Sequence, residues 1–151
     1  MTFGALLLAV HLLGAIAWVG GMFFVLVVLR PSLAILDAGP RLALLVQVFR
    51  RFFLVVWHVM PLMLITGLAM EYLFYGGVST TPWPLQVMMG TGIVMAVIFV
   101  VIVAWPWAAL RRALGQEDLP RAGAAVQRIR LLVSVNFVLG VLTAIVAVLD
   151  V

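Results

Sequence analysis

The 151 residues make one domain's worth of chain, with 67% apolar and 9% charged residues against about 45–50% and about 25% in ordinary soluble proteins. A soluble domain of this size has too much surface per unit volume to hide so much apolar side chain, which excludes a soluble enzyme, a disordered tail and a nucleic-acid-binding module. The net charge of +4 comes from nine Arg, with no Lys anywhere in the chain, and what remains is an integral membrane protein whose residues 1–151 form a single transmembrane domain in the lipid bilayer.

In chain order, residues 2–29 carry no charge. A helix rising 1.5 Å per residue needs about 20 residues to cross roughly 30 Å of hydrocarbon, so this stretch is one crossing. It is too long for the apolar region of a signal peptide and has no basic segment before it, so the mature protein is expected to keep it. The connection that follows holds Arg30, Arg41, Arg50 and Arg51. From Pro40 it reads as a helical lead, Pro being suited to a first helical turn. The second helix is predicted over 42–75, with Pro61 inside it. The run Gly76, Gly77, Ser79, Thr80, Thr81, Pro82, Pro84 is turn chemistry. A third helix over 84–113 ends in a connection containing Gln116, Glu117, Asp118 and Pro120, and an Ala/Arg-rich lead opens the fourth helix at 122–149. Arg111, Arg112, Arg121, Arg128 and Arg130 lie in or beside this last connection, so all nine Arg fall on one side of the membrane. The positive-inside rule makes that side cytoplasmic and puts both termini and the 76–84 turn outside. The fold class is therefore all-α: a four-helix membrane bundle, N-out and C-out, with short helical leads before helices two and four. Cysteine is absent, so disulfides and thiolate metal sites do not arise.

Ionisable residues inside a bilayer are rare and point to function. The two histidines, His11 and His58, are the candidates. At 100° per residue His11 shares its stripe with Gly14, Ala15, Trp18, Met22 and Val25; small residues there leave room for a bulky group or for a close neighbouring helix. His58 lies three residues before Pro61, which cannot donate to the Trp57 carbonyl, so the helix is expected to kink or loosen there. Counting 1.5 Å per residue from opposite faces places both imidazoles in the central band, differing by roughly 9 Å in height. That offset suits a haem gripped between two imidazoles better than one small metal ion. Met60, Met63 and Met70 fall with Gly67 on one face of helix two, and thioethers are soft ligands suited to Cu(I), although Met is equally a core filler. Arg128 and Arg130, with Arg50 and Arg51, are placed to hold haem propionates or simply to anchor topology. Glu71, beside Tyr72 and Tyr75, belongs to the interface unless it points inward, where it would carry a proton or bind a cation. Asn136, Gly140 and Thr143 make a stripe on helix four for interhelical contact, and Trp83, Trp105 and Trp107 mark the interfaces. No nucleophile–base pair, phosphate loop or carboxylate dyad appears, so no catalytic residue is assigned.

The run from His11 through Trp18 to Gly21 resembles the first helix of the CopD-type (copper-resistance D) membrane proteins. It is also similar to the related HemJ-type protoporphyrinogen oxidases, whose first helix carries a His followed by a Trp. Trp57-His58-Val59-Met60-Pro61, followed by Thr66-Gly67, looks like the CopD-type second core helix. The HemJ likeness implies a haem-associated role for His11 and a basic residue at Arg128 or Arg130; Met88, Met89 and Gly90 stand where that group has a Lys. The CopD likeness implies copper handling in a bacterial-type inner membrane.

Two functions follow as expectations. The first is a haem b redox protein with His11 and His58 as axial ligands, Gly14 and Trp18 beside them, and quinone or a periplasmic redox partner as electron donor or acceptor. A haem-dependent oxidoreductase of the HemJ-like group is its enzymatic form. The second is a copper-binding or copper-transport protein using His11, His58, Met60 and Met63. Either is compatible with a homo-oligomer.

Overall fold

The computed structural model describes residues 2–149. It consists of four helices, each long and apolar enough to cross a membrane: α1 (Phe3–Ile35), α2 (Ala38–Tyr75), α3 (Trp83–Gly115) and α4 (Leu119–Val146). Most of their side chains face outward, as expected of helices that are apolar all round and sit in lipid. The leads expected before helices two and four are the first turns of α2 and α4 themselves, with no break between lead and span.

The helix ends have local causes. α1 runs past 29 because the Arg41 guanidinium donates to the carbonyls of Ala34 (3.2 Å) and Leu36 (2.7 Å) at its C-terminal end, groups that have no partner within the helix. Gly76, at φ +76°, takes the left-handed conformation that closes α2, and Gly77, at φ +128°, turns the chain away. Asp118 caps α4, its carboxylate accepting from the Arg121 backbone N–H at 3.0 Å. α2 continues as α-helix through Pro61. The widened π turns fall elsewhere: in α1 at Ile16–Gly20 and Phe24–Leu29, the latter just before Pro31, and in α3 at Val103–Trp107 around Pro106. A proline's missing N–H and its clash with the preceding turn account for the two π stretches at Pro31 and Pro106.

Close approaches set the register. Gly14 lies against Met63 and Gly21 against Phe52, so α1 and α2 run antiparallel, and Gly4 meets Phe74 at the far end. Between α3 and α4, Thr143 donates to Thr91 (2.7 Å) and Asn136 Nδ2 to the Met95 carbonyl (3.2 Å). These contacts leave the 76–82 turn at one end of the bundle and the arginine-bearing connections at the other. The core is densest toward the arginine end. Phe53 stacks on Phe49 (5.6 Å between centroids) and meets Phe99 (6.0 Å) and Trp107 (5.4 Å) edge-on. Trp107, expected at the interface, is thus a buried member of this cluster, whereas Trp83 and Trp105 are exposed.

Candidate functional site

In the half of the bundle away from the arginines, α1, α2 and α3 bring polar and thioether groups together. His11 on α1 faces α2, where its Nδ1 lies 2.9 Å from Thr66 Oγ1. The Thr66 hydroxyl also lies 2.8 Å from the Leu62 carbonyl and 3.2 Å from that of Met63. A hydroxyl has one proton, and the carbonyls can only accept. The consistent assignment has Thr66 donating to its own helix and accepting from His11 Nδ1–H. In that assignment the Nε2 lone pair is left for a ligand.

Gly67 follows Thr66, and its missing side chain opens the site. A Cβ there would lie 3.4 Å from His11 Cε1 and 3.4 Å from Met89 Cε of α3, so imidazole and thioether border one small space. Met63 stands one turn inward: a Cβ on Gly14 would fall 3.1 Å from its sulfur. Gly14 therefore serves a close helix approach, and through it the placing of Met63. Two residues reach this site that the sequence did not put there. Met89 is one of several methionines on other helices with nothing to set it apart, and Thr66 entered only within the Thr66-Gly67 pair. The fall of Gly67 on the methionine face of α2 was the available signal.

One helical turn outward from Gly67 on the same face is Glu71. It points inward, at 6% exposure, and its Oε2 has no hydrogen-bond partner among the described residues. A buried carboxylate oxygen with no donor is costly and calls for a cation or a proton.

The pairing of His11 with His58 does not occur in this fold. Nine residues separate His58 from Gly67, which is half a turn's rotation and roughly 13 Å along the axis. His58 is accordingly exposed on the outer face of α2, with Nδ1 donating to the Leu54 carbonyl at 2.8 Å. Two imidazoles on opposite faces of a helix do not clamp one haem or share one metal ion. The arginines expected at propionates are also distant. Thr91, two residues from Met89, bonds to Thr143, so the His11 level corresponds to Thr143 on α4; Arg130 lies thirteen residues on, roughly 20 Å away. Arg128 is stacked over Trp105 at 5.2 Å. Trp18 is buried edge-on against Phe99 at 6.4 Å, in the aromatic core. Met60 is half-buried against the same core. The residues present do not fit a haem held by His11 and His58. Of the residues expected to bind metal, His11 and Met63 both lie where α1 meets α2, Met63 packing on Gly14 three residues from His11.

The described residues hold no group of three His, Cys, Asp or Glu side chains able to bind a metal ion. Residues 46–149 match the family model described as CopD, copper resistance protein D. That stretch is more than half of the chain, and the chain belongs to this family of membrane proteins. Met63, Thr66, Gly67 and Met89 lie within the match, and His11 precedes it. No curated protein and no solved structure matches the chain.

Proposed function

We propose that the protein binds monovalent copper as cargo between α1, α2 and α3, through His11 Nε2 and the thioethers of Met63 and Met89, as part of copper resistance. The observation that carries this is the space at Gly67, bordered by an imidazole whose Nδ1 is already engaged by Thr66. One nitrogen and two sulfur donors in an apolar bundle form a soft ligand set, which favours Cu(I) over the hard divalent ions. Glu71, on the side of the site away from the arginines, supplies the carboxylate that attracts a cation inward. Inward of the site, the Trp18, Phe99, Phe53 and Trp107 cluster closes the bundle, so copper is taken up from the end bearing the 76–82 turn. The clustering of all nine Arg at the other end supports an orientation with both termini outside, in a bacterial inner membrane.

The test is an anaerobic titration of purified protein with Cu(I) against a chromophoric chelator. Wild type and His58→Ala are expected to bind one Cu(I) alike, while His11→Ala and Met63→Leu weaken binding at least tenfold, the scale on which metal sites respond to lost ligands and supports. Undiminished binding in His11→Ala would overturn the reading. So would a Soret band in the wild-type protein that disappears in that variant.

A further inference from the structure

At the arginine end, α1, α2 and α4 enclose a cleft of about 840 Å³ that takes no part in the copper reading. Its walls include Val25, Leu26, Leu45, Phe49, Val126 and Val133, and Arg30, Arg41 and Arg130 reach it from three different helices. Arg41 is committed to the carbonyls at the end of α1. Arg30 and Arg130 have no carboxylate or carbonyl partner among the described residues, the ion pair there being Arg121 with Asp118.

A second basic cleft, of about 390 Å³ between α3 and α4, gives the contrast. Each of its arginines is engaged: Arg112 with the Ala108 carbonyl (3.3 Å), Arg121 with Asp118 (3.2 Å), and Arg128 with the face of Trp105. The larger cleft thus differs in holding two uncommitted guanidinium groups above apolar walls. It is also roomy. Gly39 and Gly123 line it, and a Cβ on either would meet nothing within 4 Å. From Ala34 to Val25 it follows α1 for nine residues, roughly 13 Å.

Two unpaired cations over an apolar slot match an amphiphile with an anionic head and a hydrocarbon tail. We infer that the cleft binds one anionic phospholipid, its phosphate held by Arg30 and Arg130 and an acyl chain laid along Val25, Phe49 and Val133, which line the cleft on the bilayer side of the two arginines. A free anion would leave the walls uncovered. A zwitterionic lipid carries the same phosphate, but its ammonium group would face the guanidinium pair.

The test is native mass spectrometry of the full chain in detergent with phosphatidylglycerol or phosphatidylcholine. Wild type is expected to retain one phosphatidylglycerol in preference to phosphatidylcholine, and inorganic phosphate should not displace it. Arg30→Gln with Arg130→Gln should weaken retention about thirty-fold, from the worth of two basic side chains at an anionic membrane surface. Gly123→Leu fills the headgroup end of the cleft, about 10 Å from Arg130 toward the start of α4, and favours the helix, so it should abolish retention while leaving the protein folded. Arg111→Gln with Arg112→Gln, outside the cleft, should change nothing. Equal retention of the two lipids, displacement by phosphate, wild-type retention in Gly123→Leu, or an equal loss in the Arg111 and Arg112 control would each overturn the inference.

Discussion

Gly67 decides what the His11 site can hold. With a Cβ at 3.4 Å from both His11 Cε1 and Met89 Cε, alanine makes ordinary contacts and no clash, and it improves the helix. Gly67→Ala is therefore expected to fold and insert like wild type yet lose Cu(I), because its methyl takes up the space between imidazole and thioether. Equilibrium dialysis beside a circular dichroism melt checks both halves. Thr66 acts through His11: Thr66→Val keeps the shape but removes the acceptor for Nδ1–H. About a tenfold loss of copper affinity is expected, while Thr66→Ser retains binding. The two histidines show how far single residues can be read from sequence. Both were legible as polar groups at mid-depth. Which of them faces the bundle depends on the side of α2 that packs, and a helix apolar all round does not record that.

Among the elements, α1 and α2 owe their approach to Gly14 and Gly21, and α3 and α4 are tied by Asn136 and Thr143. Asn136 is 1% exposed and donates to the Met95 carbonyl. In a membrane such bonds average about 0.6 kcal/mol and reach about 1.7. Asn136→Leu is expected to cost about that much in a detergent unfolding titration, with copper binding unchanged. Phe53→Ala opens a hole among four aromatic rings and should destabilise by about 3 kcal/mol in the same measurement. The four spans were legible because charge gaps and turn chemistry at Gly76 and Gly77 are local signals. The π turns were not. Pro31 closely follows one and Pro106 lies inside another, whereas Pro61, where a loosened helix was expected, leaves α2 regular. A proline in a span shows that a backbone bond is lost, and tertiary packing decides how the helix absorbs it.

For the molecule as a whole, charge and chemistry divide along its length: arginines and the larger apolar cleft at one end, His11, Met63 and Met89 toward the other, aromatic rings between. Because the chain has no Cys, single cysteines report orientation without background. Ser79→Cys is expected to react with an impermeant maleimide from outside intact spheroplasts, and Gln116→Cys only after lysis; the reverse would invert the assignment. The arginine pattern made this axis legible in the sequence. The meeting of α1, α2 and α3 at Gly67 was not, since Met89 reaches Gly67 only through the packing of a third helix.

X-ray absorption at the copper edge of the Cu(I)-loaded protein tests the central claim most directly. One nitrogen and two sulfur neighbours are expected in wild type and in His58→Ala, with the nitrogen gone in His11→Ala. A copper environment unchanged in His11→Ala, or altered in His58→Ala, would contradict it.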